Sequence, residues 1–133
     1  MKSLTRNFNI ESVRAAENND GFWATLSTEY PVQRDYGNEI LLHGQLNIDL
    51  ERAQLPLIIG HNTDELNIGI VEQLKIVGRK LKGFIRLGSS ERAKEILQDV
   101  QNGIVSNLSI GYRVIESHFE GDDLLATKWA PYE

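Results

Sequence analysis

Apolar and polar residues alternate in short segments along most of the chain, a period of two that is typical of β-strands with one buried face. Turn-forming residues separate the segments, and the Asp20-Gly21 and Gly78-Arg79-Lys80 stretches predict tight hairpin turns. The predicted strands lie at 10–16, 22–28, 39–44, 57–61, 68–77, 81–87, 104–115 and on either side of Gly121-Asp122 within 118–128.

One segment has the longer period of a helix and lies at 91–102. Ser90 is placed to cap its first turn, and Gly103 can adopt the left-handed conformation just beyond its end. A second segment, 48–54, could form one or two helical turns before Pro56. The apolar stripe of the main helix consists of Ala93, Ile96, Leu97 and Val100.

Roughly seven or eight strands with one main helix indicate a mostly β fold with a helix (α+β), in the form of a mostly antiparallel barrel or sandwich. The 133 residues are enough for one domain with a modest core, so 1–133 is expected to be a single domain.

Composition narrows the classes of function. The net charge is −5 with scattered Lys and Arg, which argues against a nucleic-acid binder. No apolar run reaches the roughly 18–20 residues of a membrane span, and no signal peptide opens the chain, so a soluble intracellular protein without a membrane role is expected. Without cysteine, and with only three dispersed histidines, neither a disulfide framework nor a metal site is predicted.

His61 is the histidine best placed to act as a general base, a role in which His is common because its pKa lies near neutral pH. It ends the apolar run that begins at Leu57 and precedes a polar loop. A rigid strand would fix its backbone and leave the ring accessible. The plain alternative is a histidine bonded to a loop carbonyl.

Ser109 is the candidate nucleophile. In a strand, Ser109, Gly111 and Arg113 would face away from the core, whereas Ser106 would point inward. Gly111 would then leave an open notch where a substrate backbone could approach, and Arg113 would add a positive charge on the same face. The alternative is an exposed strand serine with no catalytic role. The residues expected to face the core are Leu108, Ile110 and Tyr112.

A third group should orient the base, and spacing does not choose it. The candidates by residue type are Glu133, His118, Asp122 and Asp123.

Five stretches, in this order, resemble the prohead (capsid maturation) protease family of tailed phages, which is related to the herpesvirus assembly proteases. The helix and Gly103 lead into Leu-Ser-Ile-Gly-Tyr, a string similar to the family's block around its serine. The five stretches are 22–27, 39–46, 56–62 with Ile68-Gly69, 108–112, and Trp-Ala-Pro-Tyr-Glu at 129–133.

The resemblance implies an antiparallel β-barrel of the herpesvirus assembly protease type. It also implies a serine endopeptidase that cleaves scaffold and capsid-protein segments during prohead maturation, with Ser109 as nucleophile, His61 as base and Glu133 as the third member. No cofactor is implied. The expected partners are phage capsid protein and scaffold, and the chain could form a homodimer or a higher homo-oligomer. The expected location is the cytoplasm of the bacterial host, inside the immature prohead, and the protein could also be encoded by a prophage.

Two departures from the family pattern bear on this expectation. Asn62 stands where the family usually has Asp, and the chain ends at Glu133, so we expect a domain truncated at its C-terminal end. An alternative is an inactive protease-like module that binds capsid or scaffold, and a more distant one is an unrelated β-domain that binds a ligand.

Overall fold

A computed structural model describes residues 4–9, 21–52, 54–60, 62, 66–105 and 107–133. This part of the chain forms nine strands and one helix. The strands are β1 Leu4–Asn9, β2 Gly21–Thr28, β3 Val32–Arg34, β4 Gly37–Leu41, β5 Leu55–Leu57, β6 Gly69–Val77, β7 Lys80–Leu87, β8 Asn107–Glu120 and β9 Asp123–Pro131. The helix is α1 Glu91–Gln101.

The strands form two curled sheets that together make a half-barrel, so the expected class, mostly β with a helix, is confirmed. One sheet has the order β1-β8-β9-β4-β3 and the other β2-β7-β6-β5. The pairing of the strands is mostly antiparallel, as expected, with β4 and β9 as a parallel exception. This pairing joins strands that are distant in sequence, which alternation within a segment does not reveal.

The two hairpins at β6–β7 and β8–β9 match the predicted turns. Gly78 and Arg79 both have positive φ, 55° and 63°, as a two-residue hairpin turn requires. Gly121 has a φ of 62° between β8 and β9. The predicted arm at 10–16 lies outside the described residues.

Two predicted elements are wrong. The strand predicted at 57–61 is instead β5, which ends at Leu57 before the chain bends at Ile59 and turns at Gly60. The described part of 48–54 is not helical, because Ile48 forms a parallel bridge with Trp129. Tertiary pairing with β9 thus overrides the local helical tendency.

Helix α1 follows the sequence expectation closely. The Ser90 hydroxyl accepts a hydrogen bond from the Ala93 N–H at 3.1 Å, and Gly103 has a φ of 75° beyond the last turn. Ala93 and Val100 are buried, and Ile96 and Leu97 pack against the core. Within the described residues, no helix is long and apolar enough to cross a membrane.

The core lies between the two sheets and under α1. Its largest fully buried side chains are Trp129 and Tyr112, whose ring centroids are 5.8 Å apart in an edge-to-face arrangement. Tyr112 belongs to β8, so packing at the centre of the molecule fixes the strand that carries Ser109.

Candidate functional site

Ser109 lines a cleft of about 440 Å³ between α1, the end of β5 and the start of β8. Glu133 lines the same cleft, so two of the three predicted catalytic residues share one site. Most of the other described lining residues are apolar. They include Ile58, Ile68, Leu87, Ile96, Val100 and Val105.

The orientation of Ser109 follows from β8. Ile110 and Tyr112 are buried and Arg113 is exposed, as the predicted strand parity requires. Ser109 itself is partly buried, and its backbone pairs with Asn7 of β1. Ser106, which the sequence predicts to point inward and which is therefore the weaker candidate for the nucleophile, lies outside the described residues.

Glu133 is held beside Ser109 by pairing with Gly111. The Gly111 N–H donates to the Glu133 carbonyl and the Tyr132 N–H donates to the Gly111 carbonyl, each at 2.9 Å. A Cβ at Gly111 would lie only 2.7 Å from Glu133 Cγ and 2.9 Å from its Oε1. The predicted open notch is therefore wrong: the missing side chain makes room for Glu133 and not for substrate.

The carboxylate of Glu133 is consequently packed against a strand, with Oε2 buried. A carboxylate held in this way has a defined position, which a group that orients an imidazole needs.

His61 lies outside the described residues, but the chain on both sides of it is described. Ile58, Ile59 and Gly60 lead up to position 61 and line the same cleft as Ser109. Gly60 has a φ of 58°, and the Asn62 N–H donates to the Ile59 carbonyl at 3.1 Å. The described turn therefore carries the chain along the wall of the cleft.

The other candidates for the third group lie far from Ser109. His118 is half-exposed, and its Nε2 is 3.4 Å from Glu120 near the far end of the β8–β9 hairpin. Nine residues of strand separate it from Ser109, roughly 30 Å. Asp122 and Asp123 lie at the tip of the same hairpin.

Arg113 is not part of the cleft. It lines a separate polar depression with Asp49, Arg52 and Tyr132. The sequence predicted that the positive charge of Arg113 would lie on the same face as Ser109, but in the structure Arg113 lines a different surface depression.

A second serine–histidine pair occurs in the core, where Ser27 Oγ is 2.9 Å from His43 Nε2. The other ring nitrogen, Nδ1, lies 2.7 Å from the Leu41 carbonyl. A carbonyl only accepts, so Nδ1 carries the proton and Ser27 donates to Nε2. Burial lowers the pKa of His43, which favours this neutral form.

The geometry of that pair would suit a nucleophile and a base, but Ser27 and His43 are 0% and 1% exposed. No substrate reaches a hydroxyl buried in this way. The pair therefore fills a polar position in the core.

A buried polar cluster anchors β8 from the opposite side. Glu39 on β4 accepts hydrogen bonds from Arg6 at 3.1 Å, from Tyr36 at 3.0 Å and from the Tyr112 hydroxyl. Burial alone would raise the pKa of Glu39, but the hydrogen bonds from Tyr112, Arg6 and Tyr36 outweigh it and hold that pKa below its ordinary value. An ionised Glu39 thus links β1, β4 and β8.

The sequence pattern does not single out Arg92, yet this residue of α1 lines the cleft with Ser109. Helical periodicity identifies which face of α1 is apolar, but not which strand its first turn approaches.

Among the described residues, no group of three or more His, Cys, Asp or Glu side chains is arranged to hold a metal ion.

Comparison with known proteins identifies the family. The model for the caudovirus prohead serine proteases matches residues 8–130, a span that includes positions 61 and 109 and stops short of Glu133. A major capsid protein of Halomonas phage phiHAP-1 is 37% identical over an alignment that covers 80% of this chain. The chain spans only 19% of that relative's length. No solved structure matches. With nearly all of its length matched by the family model, the chain belongs to the caudovirus prohead serine protease family.

Proposed function

We propose that this chain is a serine endopeptidase that cleaves scaffold and capsid-protein segments during phage prohead maturation. The observation that carries the proposal is the shared cleft of Ser109 and Glu133, which the chain leading to His61 also lines. A nucleophile, a base and an acidic residue that orients the base are the parts that an acyl-enzyme mechanism needs.

In the proposed reaction, the Ser109 hydroxyl attacks the scissile carbonyl while His61 accepts its proton. The tetrahedral intermediate then collapses, the C–N bond breaks, and His61 protonates the leaving amine. Water attacks the acyl-enzyme with His61 again as base, which releases the acid product and restores Ser109. Glu133 orients the imidazole and stabilises its protonated form.

Membership of the family supports the proposed substrates and location. Proteases of this family belong to phage proheads, so capsid protein and scaffold inside the immature shell, in the cytoplasm of the bacterial host, are the proposed setting. We further propose that 1–133 acts as one domain with a fold akin to the barrel of the herpesvirus assembly proteases, and that it forms a homo-oligomer. No cofactor is required by this mechanism.

A second candidate function is an inactive module that binds capsid or scaffold. The observation in its favour is that the relative which shares 37% identity is named a major capsid protein and not a protease. In that case the cleft would bind a protein segment without cutting it.

A phosphonate probe that reacts with activated serines separates the two functions. Under the proposal, the probe labels the chain, and peptide mapping by mass spectrometry assigns the label to the peptide with Ser109. Labelling is lost in Ser109→Ala and kept in Ser27→Ala. A folded chain that binds capsid protein but takes no label would favour the inactive module.

A further inference from the structure

We propose that the cleft selects a protein segment with a large aliphatic or aromatic side chain and a neighbouring carboxylate, which pairs with Arg92. This inference deepens the proposed function, on which its role in cleavage rests. The apolar side chain would enter the cleft beside Ser109, and the carboxylate would stay at the edge formed by the first turn of α1.

The walls of the cleft are the first argument. The cleft is lined by Ile96 and Val100 of α1, by Leu87 of β7 and by Ile59 of the turn after β5. Burying an apolar side chain against such walls is favourable in proportion to the area removed from water. A polar side chain in the same place would lose its hydrogen bonds to water without replacement.

The charges are the second argument. Arg92 and Glu133 are the charged residues among the described lining of the cleft, and their side chains differ in how they are packed. The Glu133 side chain is packed against Gly111, whereas Arg92 is exposed on the second residue of α1. Arg92 has no ion pair with any described residue, although Lys94 on the same helix lies 3.9 Å from Glu91.

A guanidinium at the mouth of an apolar cleft favours a carboxylate, to which it can donate two parallel hydrogen bonds. A basic residue at the same place in a substrate would meet a like charge. Charge complementarity therefore commits the occupant to an apolar-acidic segment and disfavours an apolar-basic one.

The test measures binding separately from catalysis. Short fluorescent peptides with an adjacent Leu-Glu, Leu-Lys or Ser-Glu pair are titrated into the non-cleaving variant Ser109→Ala, with fluorescence anisotropy as the readout. We expect the Leu-Glu peptide to bind at least about tenfold more tightly than the Ser-Glu peptide. The free energy gained by burying a leucine side chain corresponds to at least that factor in affinity.

Charge reversal isolates Arg92. In the Ser109→Ala background, Arg92→Glu should weaken Leu-Glu binding by about tenfold and strengthen Leu-Lys binding, as expected for a close charge pair. Arg92→Gln should weaken Leu-Glu binding without favouring Leu-Lys. The matched control is Lys94→Glu, two residues along the same helix and also exposed, for which we expect less than about a threefold change.

Failure of the inference is distinguishable from failure of the proposed function. Equal affinities for the Leu-Glu and Leu-Lys peptides, no effect of Arg92→Glu, or no binding of any peptide would overturn the inference, whatever the phosphonate labelling shows. Arg92-dependent selection of the Leu-Glu peptide without phosphonate labelling at Ser109 would support the inference and contradict the proposed endopeptidase function.

Discussion

At the scale of single residues, Gly111 determines where the carboxylate of Glu133 lies. The space left by its absent side chain is occupied by Glu133 Cγ and Oε1. Gly111 therefore acts on the proposed chemistry through Glu133, and a substitution at 111 tests that role without altering any of the three proposed catalytic residues.

Gly111→Ala should lower the rate of cleavage while leaving the fold intact. The new Cβ would collide with the Glu133 side chain, which can swing away at little cost, so the free energy of unfolding should stay within about 1 kcal/mol of wild type. Displacing Glu133 should reduce kcat by between about tenfold and about 10⁴-fold, the upper value being typical when the acidic member of a triad is replaced. Peptide cleavage kinetics and urea unfolding measure the two effects.

The matched control is Gly83→Ala, on β7. Its Cβ would lie 2.8 Å from Val71 Cγ1 and 2.9 Å from Leu26 Cδ1, within the core. Overpacking of this kind costs about 1–3 kcal/mol, and the folded fraction should cleave at the wild-type rate. Unchanged kcat in Gly111→Ala would contradict the role of Glu133.

Strand parity was sufficient to predict the orientation of Ser109, because it depends only on neighbours in the chain. The place of Glu133 was not predictable in this way. It depends on the backbone pairing of Gly111 with the residues after β9, and a glycine in a sequence does not reveal whether its space is open or filled.

At the scale of elements, β8 carries Ser109 and is anchored by the buried carboxylate of Glu39. Glu39 is fully buried and its partners come from β1, β3–β4 and β8. Removing its charge would leave Arg6, itself only 4% exposed, without a counter-ion.

Glu39→Gln should destabilise the protein by about 3–5 kcal/mol at neutral pH, the usual cost of breaking a buried ion pair. Because the folded-state pKa of Glu39 lies below its ordinary value of 4.5, the unfolded chain binds the proton first as pH falls. The contribution of Glu39 is thus complete above the unfolded pKa and is lost as pH drops through the folded pKa. Urea unfolding from pH 7 to pH 3 should show the wild type and the variant converging below about pH 4.5.

The exposed pair of Glu72 and Arg86 provides the control, with a side-chain distance of 2.9 Å. Glu72→Gln should change stability little at any pH, because solvent screens an exposed pair. A constant difference between Glu39→Gln and wild type over the whole pH range would contradict the ionised state of Glu39.

Among the elements, α1 was predictable because its determinants are local: the Ser90 cap, the apolar stripe and Gly103. The segment around Ile48 was not, since its conformation follows from the bridge to Trp129, 81 positions away along the chain. The buried Glu39 cluster was equally hidden, because its members are brought together by the pairing of β1 with β8 and of β4 with β9.

At the scale of the whole molecule, two serines lie in environments that predict opposite behaviour. Ser109 lines a cleft at the surface between α1 and the sheets, whereas Ser27 bonds His43 at the junction of the two sheets. The structure therefore supplies an internal control: a serine next to a histidine that is structural, and a serine in the cleft that is the proposed nucleophile.

The most direct measurement is cleavage of a scaffold–capsid substrate co-expressed with the wild-type chain, Ser109→Ala or Ser27→Ala. We expect Ser109→Ala to reduce cleavage by on the order of 10⁶-fold, to background, with unchanged stability. Ser27→Ala should still cleave but lose about 1–3 kcal/mol of stability, because His43 Nε2 would be buried without its donor. Full cleavage by Ser109→Ala, or its loss in a folded Ser27→Ala, would contradict the assignment of Ser109 as the nucleophile.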